Sequence, residues 1–554
     1  MDNTRLILVI ALAFVATLLW EAWQQDYGQK TVPSRTEEPS TGPAAAAPSA
    51  STTGDLPTPI PEAGVPGSES LPEPAGSTEQ HLLVETDVLR LEIDLKGGGI
   101  ARLELPRYPV SVARPDEPFV LMDDSETLHY RHDGGLLSRQ QAPTHHSPFK
   151  AARASYRMAE GEQVLEVPLV WEGPDGLKVT KTYRFHRGSY LIEVSYKVHN
   201  GTAKPWSGRY YAQLSHKAVE RSGGFATIQT FTGAAISSPE KRYEKLGFDD
   251  LEETRLDREI TDGWIAMLQH YFVSALLPPR QETDHYYSKK LPDAVYLIGY
   301  YGPTAEAAPG EEVQFHHRFY AGPKLQEVLA SIAPGLELTV DYGPLWFLSK
   351  PLFWVLEKIH GLVGNWGWAI VIVTILLKLA FFQLSATSYK SMARMRRVQP
   401  RMQALKERYA DDKQAFNQAL MKLYKEEKIN PLGGCLPILV QIPVFLAFYW
   451  MLLESVELRQ APFILWIRDL STMDPYYVLP ILMGVSMFLQ QKLNPAPLDP
   501  VQQKVMSLLP VVFTFFFAFF PSGLVLYWLV NNILSIAQQW VITRKYGALN
   551  APAG

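Results

Sequence analysis

Cysteine is nearly absent from this sequence, since Cys435 is the single cysteine among 554 residues. One cysteine cannot form an intramolecular disulfide, so any large domain outside the cytoplasm must be stable without such cross-links. The net charge of -5 argues against a nucleic-acid-binding protein. The sequence also lacks the G-x-x-x-x-G-K-[ST] and G-x-S-x-G motifs, so it carries neither the usual ATP-binding loop nor the nucleophile elbow of a hydrolase.

Metal-ligand patterns are equally scarce. The pairs His145-His146 and His316-His317 have no further ligand at a recognisable spacing, and surface or strand histidines explain them better. We therefore predict no metal, no cofactor and no enzymatic activity.

Long apolar runs are missing from the middle of the chain and lie at the N-terminus and after about residue 345. The first run, residues 6–23, is nearly long enough to cross the roughly 30 Å hydrocarbon layer. A cleavable signal peptide is the alternative, but cleavage requires small residues where this sequence has Trp20, Glu21, Trp23 and Gln24. We predict an uncleaved transmembrane anchor over residues 1–27. Residues 28–80 are rich in Pro, Ala and Ser with few groups to bury, which predicts a flexible tether.

Residues 81–342 alternate apolar and polar side chains in short runs bounded by turn signals. Period-2 alternation predicts strands, and many such runs predict a β-sandwich. We therefore expect a large all-β domain of many strands. The clearest runs include two sets of alternating apolar residues and two further segments: Leu89, Leu91, Ile93 and Leu95; Ile192, Val194, Tyr196 and Val198; residues 294–301; and residues 313–320.

The remainder of the chain predicts a helical membrane region. In residues 343–362, apolar and aromatic side chains oppose Lys350, Glu357 and Lys358, as in an amphipathic helix lying in the membrane interface. Long apolar segments then predict spans. The second span lies within residues 363–384, and spans three to six lie within residues 431–543. With the anchor this makes six spans. A short tail follows at 544–554.

The distribution of basic residues sets the orientation. Residues 385–430 hold 11 Lys and Arg against 5 Asp and Glu, whereas residues 454–475 hold 2 against 4. Because basic loops stay in the cytoplasm, six spans place both termini there and the β domain in the periplasm of a bacterial inner membrane. The basic loop predicts a helical hairpin with Asp411 or Asp412 as N-cap. Its surface suits either contact with anionic lipid or an adaptable binding role.

Lys378 is an energetic anomaly inside the second span, because a lysine near the bilayer centre costs about 2.5–3.5 kcal/mol. Snorkelling is the alternative reading. However, Lys378 starts only about 5 Å from the middle of its span, at 1.5 Å per residue, and its stem reaches on the order of 6 Å, short of the headgroups. The spans that follow hold no Asp or Glu. An unpaired cation in a wet pocket would receive anionic groups.

Other spans place polar side chains at a similar depth, and these could equally be interhelical contacts. Thr374 lies four residues before Lys378 and shares its helix face. The remaining members are Gln441 in the third span and Asn531, Asn532, Ser535 and Gln538 in the sixth. Their coincidence in depth favours a hydrated cavity.

Several long stretches resemble the YidC family of membrane protein insertases of Gram-negative bacteria. They are NPLGGCLPILVQIPVFLAFYWML (430–452), the segment 455–484, FPSGLVLYWLVNN (520–532), GWIAMLQHYFVSA (263–275) and YAGPK (320–324). The resemblance implies a periplasmic β-supersandwich and a five-helix core with a hydrophilic groove. The groove's basic residue, usually arginine in the family, is Lys378 here. Charge is kept, but the planar bidentate grip of arginine is lost.

The same resemblance assigns roles to further residues. Thr374 and Trp528 match groove positions that face substrate, and relatives have tyrosine at the latter. Gln441, Ile442 and Pro443 match the part of the third span along which a client helix slides. Tyr389 and Asp411 match cytoplasmic-loop positions linked to ribosome contact.

We therefore expect a membrane protein insertase and chaperone for nascent inner-membrane proteins, working alone or with the Sec translocon. Its partners would be nascent membrane proteins, the lipid bilayer and, because the tail is short, a weakly held ribosome. A transporter or channel is the first alternative, suggested by the mid-membrane polar residues. A tethered periplasmic sugar-binding protein, suggested by the sandwich, is the second.

Overall fold

The computed structural model describes residues 55–57, 81–218, 230–409, 412–427, 436–494 and 500–548. All of these belong to the second of two compact units, Asp55–Gly554. The predicted anchor at 1–27, nearly all of the predicted tether and the last six residues of the tail lie outside the described residues, as does Asp411.

The part of the chain before residue 324 is built from strands. In chain order the strands are β1 (His81–Glu85), β2 (Arg90–Asp94), β3 (Gly99–Ser111), β4 (Arg114–Asp123), β5 (Arg131–Ser138), β6 (Lys150–Ala151), β7 (Ser155–Arg157), β8 (Val164–Glu172), β9 (Leu177–His186), β10 (Leu191–Asn200), β11 (Trp206–Lys217), β12 (Gly233–Ser237), β13 (Glu244–Leu246), β14 (Asp257–Thr261), β15 (Trp264–Leu268), β16 (Phe272–Leu277), β17 (Thr283–Leu291), β18 (Val295–Tyr301), β19 (Ala305–Ala307) and β20 (Glu312–Pro323).

These strands form two sheets. Within the described residues, the first sheet has 11 strands in the order β14-β17-β18-β11-β5-β3-β2-β1-β7, with β19 paired to β11 and β4 paired to β3. The second has 9 strands in the order β13-β12-β15-β16-β20-β10-β9-β8-β6. The prediction of a large all-β domain is confirmed.

Alternating burial places the predicted apolar residues between the sheets. In β10, Ile192, Val194, Tyr196 and Val198 are fully buried, while the intervening residues face outward. Polar contacts also cross the interior, since Lys181 Nζ on β9 donates to Gly98 O at 2.8 Å. The strands predicted at 294–301 and 313–320 are present as β18 and β20.

The rest of the described chain is mainly helical. After α1 (Phe248–Glu253) and α2 (Gln326–Ile332), which accompany the sheets, the helices are α3 (Trp346–Val363), α4 (Trp366–Ala380), α5 (Phe382–Arg408), α6 (Lys413–Glu426), α7 (Leu436–Glu454), α8 (Val478–Leu493), α9 (Pro500–Phe517) and α10 (Ser522–Ala548). Helix α10 packs against α4, α5, α7 and α8, so it forms the centre of the bundle.

By length and composition, no single helix among the described residues is long and apolar enough to cross a membrane. The pair α4 and α5 meets the test together, with a bend of 66° between the two helices. Shorter apolar helices cover Leu439–Glu454, Val478–Leu493 and Gln503–Phe517.

The β domain and the helices meet at the segment that follows α7. Arg459 donates from its guanidinium to Pro109 O at 2.7 Å and lies 5.7 Å from the ring centre of Phe272. His270 Nε2 lies 2.9 Å from Leu453 O. These contacts dock β3, β16 and the turn between β15 and β16 on the end of α7 and the segment after it.

Candidate functional site

Lys378 lies in the last turn of α4, immediately before the chain changes direction. Asn365 starts this helix, because its side chain accepts a hydrogen bond from Trp368 N at 3.1 Å. The helix ends at Ala380, and α5 leaves at 66°. A cation in the last turn is stabilised by the carbonyl end of the helix dipole. Lys378 therefore lies two residues before the end of the helix at this bend.

A chain of hydrogen bonds links Lys378 to two other helices. Its Nζ donates to Ser535 Oγ of α10 at 2.7 Å, and that hydroxyl donates to Asn531 O at 2.7 Å. From α7, Gln441 Nε2 donates to Asn531 Oδ1 at 2.6 Å. Of the polar residues predicted at one depth, Gln441, Asn531 and Ser535 therefore join Lys378 in one network across α4, α7 and α10. Gln538 instead donates to Phe382 O at 3.1 Å.

Lys378 has no acidic partner in the described part of the chain, where no carboxylate oxygen lies within 4.0 Å of its ammonium. The half-buried ammonium has three hydrogens, of which Ser535 accepts one. Two hydrogens remain for water or a ligand. An uncompensated cation beside an open space attracts carboxylate and carbonyl oxygens.

The space beside Lys378 is narrow. About 20 Å³ of it is open to the centres of water molecules, which is enough for one water. Its walls combine apolar and polar side chains from four helices: Thr374, Leu377, Lys378, Phe381, Leu384, Ser385, Val440, Gln441, Val444, Tyr527 and Asn531. We call this set the Lys378 cavity. A helix about 10 Å across cannot enter it without separation of α4 or α5 from α7 and α10.

Four of the predicted site residues line this cavity. Thr374, Lys378, Gln441 and Asn531 come together there. The hydroxyl of Thr374 already donates within its own helix, to Ile370 O at 2.7 Å, so it offers only acceptor capacity to a ligand.

The other predicted groove residues that the structure describes do not line the Lys378 cavity. Ile442 and Pro443 are half-buried elsewhere on α7, and Asn532 Nδ2 donates to Ser486 Oγ of α8 at 3.0 Å. Trp528 lies in an aromatic cluster, 4.5 Å from Phe445 between ring centres. Its indole Nε1 is buried without a hydrogen-bond partner among the described residues.

The cytoplasmic-loop prediction is described in part. Tyr389 lies on α5 and packs with Ala386 against Ile542 of α10. Asp412 is the N-cap of α6, since its carboxylate accepts hydrogen bonds from Gln414 N and Ala415 N. This confirms one of the two predicted N-cap positions.

Sequence reasoning missed several cavity residues, although a helical signal was present. Thr374, Lys378, Phe381 and Ser385 recur at spacings of four, three and four, which places them on one helix face. Phe381 interrupts the helix, which hid this pattern. The apolar residues of the cavity have no feature in the sequence that distinguishes them from lipid-facing residues. The missed residues are Leu377, Phe381, Leu384, Ser385, Val440, Val444 and Tyr527.

Comparison with known proteins gives full-length matches. The family model described as the YidC periplasmic domain matches residues 81–355, and the model described as 60Kd inner membrane protein matches residues 358–548. The membrane protein insertase YidC of Thioalkalivibrio sulfidiphilus is 52% identical over 561 residues, covering 98% of this chain and 99% of the relative. That of Nitrosococcus oceani is 50% identical over 548 residues, with coverage of 98% and 99%.

A solved structure also aligns over most of the chain. It is the crystal structure of an active YidC insertase with the first transmembrane domain resolved, with a TM-score of 0.39 and 18% identity over 83% of this chain and 92% of that chain. A likeness of this strength adds nothing to the sequence matches.

Proposed function

This chain belongs to the YidC family of membrane protein insertases, and we propose that it receives its clients at the Lys378 cavity. The family assignment makes the chain an inner-membrane insertase and not an enzyme. The observation that supports the proposed site is the half-buried Lys378 ammonium. It donates to one hydroxyl, has no carboxylate partner in the described residues and borders an open space.

The proposed step is transfer without covalent chemistry. The acidic or polar end of a nascent span displaces water from the cavity and accepts hydrogen bonds from the two free N–H groups of Lys378. Its apolar part meanwhile enters lipid, where each fully buried Leu or Phe side chain contributes about 1.5–3 kcal/mol. A few such residues offset the cost of bringing the polar end partway across the membrane.

The narrowness of the cavity implies that clients open it. On α7 the apolar lining of the cavity is Val440 and Val444, whose side chains cannot form hydrogen bonds. Separation of α7 therefore breaks no side-chain hydrogen bond at these two residues. The hydrogen bond from Gln441 to Asn531 is one link that must break or exchange partners when α7 moves from α10.

The proposed topology follows the charge distribution of the loops. Six spans, cytoplasmic termini and a periplasmic β domain place the basic α5–α6 hairpin inside the cell. Tyr389 and Asp411 of that hairpin are the proposed ribosome contacts, and the Sec translocon is a proposed partner for larger clients. Replacing Cys435 with Ser and placing one cysteine at Glu160 or at Lys425 tests this topology. An impermeant maleimide added to intact spheroplasts should label only the Glu160 position.

Site-specific photo-crosslinking tests the client site. A photoreactive residue at Gln441 should capture a stalled nascent inner-membrane protein. Leu482 provides the control, because it is 47% exposed on the outer face of α8, away from the cavity. A photoreactive residue at Trp528 tests a second predicted groove position, which is buried in the aromatic cluster. Equal capture at Gln441 and Leu482 would place the clients at the general lipid surface and overturn the cavity as their site.

A further inference from the structure

A second cluster of reactive side chains lies on the β domain, far from the Lys378 cavity in sequence. Asp55, from the predicted tether, reaches the consecutive histidines that sequence analysis left without partners. Asp55 Oδ2 lies 2.8 Å from His145 Nε2, and Asp55 Oδ1 lies 3.0 Å from His146 Nε2. One donor atom from each of the three residues lies within 4.8 Å of the others.

The two imidazoles are held together on the same side of the chain. Their ring centres are 4.1 Å apart, although the residues are consecutive. His145 is 5% exposed, whereas His146 is exposed and Asp55 is half-buried. The cluster therefore has one anchored ligand and one side open to water.

The loop that carries the histidines is seated tightly on the sheet. Gly97 donates its N–H to Ser147 O at 2.8 Å, and a Cβ at Gly97 would lie 2.0 Å from His145 O. Leu136 N donates to Pro143 O at 2.9 Å on the other side of the loop. These contacts fix the backbone at both ends of the pair, so the imidazoles are positioned before any ligand arrives.

Tyr211 orients the buried imidazole from behind. Its phenol oxygen lies 2.5 Å from His145 Nδ1 and accepts from the His145 backbone N–H at 3.1 Å. Metal-bound histidines commonly donate from their second nitrogen to such an oxygen, which fixes the tautomer and the ring direction. Here Nδ1 is held by Tyr211 while Nε2 faces the carboxylate.

We propose that Asp55, His145 and His146 bind one divalent transition-metal ion of the Zn²⁺ class. Two imidazole nitrogens and a carboxylate oxygen are ligands that Zn²⁺ accepts, with water in the fourth position. Tetrahedral bonds of about 2.0–2.1 Å separate ligand atoms by about 3.3 Å. The observed 2.8 and 3.0 Å separations run to the two different oxygens of Asp55, and all three ligand atoms lie within 4.8 Å of one another. Side-chain movements of no more than about 1.5 Å therefore bring them to the tetrahedral spacing.

The protons balance without any further reactant. Without metal, both Nε2 atoms carry hydrogens that the Asp55 carboxylate accepts. With metal, the Nε2 lone pairs bind the ion, and the proton of each imidazole moves to Nδ1. For His145 the acceptor is then the Tyr211 phenol oxygen, whose own hydrogen rotates away from Nδ1. The metal replaces two hydrogen bonds with coordinate bonds from the same three side chains.

Such an ion would attach the predicted tether to the β domain at residue 55. Only residues 56–80 would then connect the attachment point to β1. The proposed site is independent of the Lys378 cavity.

Isothermal titration of purified full-length protein, without a polyhistidine tag, with Zn²⁺ tests the proposal. We expect one ion per chain, lost in Asp55→Asn and His146→Ala, neither of which disturbs the buried core. Tyr211→Phe should weaken binding by about 10–100-fold, as expected for loss of a residue that orients a ligand. His316→Ala removes an exposed histidine from the same domain and should bind normally.

A local readout separates binding from folding. Zn²⁺ should slow hydrogen exchange at residues 55, 56 and 144–147 in the wild type and not in Asp55→Asn. Absence of stoichiometric binding by the wild type would overturn the proposal and leave the cluster as a carboxylate hydrogen-bonded to two imidazoles. Unchanged affinity in both Asp55→Asn and His146→Ala would also overturn it.

Discussion

Replacing Lys378 with Met tests whether this lysine acts in insertion or only stabilises the fold. The methionine side chain has similar length and no charge. The substitution removes the hydrogen bond to Ser535, which is worth about 1.5–3 kcal/mol for a charged donor. It also removes the cost of holding a lysine at bilayer depth, about 2.5–3.5 kcal/mol. Ser535 itself stays paired, because its hydroxyl donates to Asn531 O.

The loss of the hydrogen bond to Ser535 and the removal of the cost of a buried lysine nearly cancel. The net change in the free energy of unfolding lies between a loss of about 0.5 and a gain of about 2 kcal/mol. At about 2–4 °C per kcal/mol, the Tm of the purified protein should move by between about -2 and +8 °C. Breaking a buried network that the fold requires would instead cost about 3–5 kcal/mol and lower the Tm by about 6–20 °C.

The assay follows tryptophan fluorescence on heating in detergent, alongside insertion of a client with an acidic translocated tail into proteoliposomes. Lys378→Arg is the matched control, because it keeps the charge. We expect Lys378→Met to keep its Tm and lose insertion, and Lys378→Arg to keep both. A fall of more than about 6 °C in Lys378→Met would refute the reasoning and make the lysine a structural residue.

Three further predictions concern groups outside the cavity. Asp474 is fully buried and accepts hydrogen bonds from two donors in the loop before α8 and from Leu479 N in the first turn of α8, so Asp474→Ala should lower stability by at least about 3 kcal/mol in thermal unfolding; an unchanged Tm would contradict this. Burial lowers the pKa of His317 from 6.5 to about 3, so its contribution to stability is full above pH 6.5 and falls as acid protonates the unfolded chain. At pH 5 the His317 share of the loss is about 2 kcal/mol, and His317→Gln should reduce the wild-type loss in denaturant titrations by that amount; the same loss in variant and wild type would assign it to the other histidines whose pKa burial lowers, His132, His216 and His270. Arg459→Ala should cost about 2–4 kcal/mol by removing its bond to Pro109 O and its ring contact with Phe272, seen as faster hydrogen exchange in β3; unchanged exchange would mean that other contacts dock the domain.

The sequence predicted the β domain well because its signal is local. The alternation of Ile192, Val194 and Tyr196 with polar neighbours is a direct consequence of one buried face, and β10 confirms it. The pairing of β1 with β7 in parallel, within otherwise antiparallel sheets, had no such signal. Strand order depends on contacts between distant residues, which a single sequence does not carry.

The candidate site was predictable where a polar or charged side chain interrupts an apolar segment. Lys378 and Gln441 stand out in apolar segments, and both line the cavity. Trp528 came from the resemblance alone, and the structure places its ring among phenylalanines. Asp55 was hidden because it lies 90 residues from His145 in a segment whose composition predicts no structure.

A charge-exchange experiment tests whether Lys378 contacts the client itself. Lys378→Glu is combined with two versions of one small client, whose translocated tail carries either acidic residues or lysines at the same positions. Insertion into liposomes that contain only this protein is measured by protease protection. Direct contact between Lys378 and the client predicts that Lys378→Glu fails with the acidic tail and regains insertion with the basic tail. Equal failure with both tails would contradict the account, because the lysine would then act on the protein and not on its client.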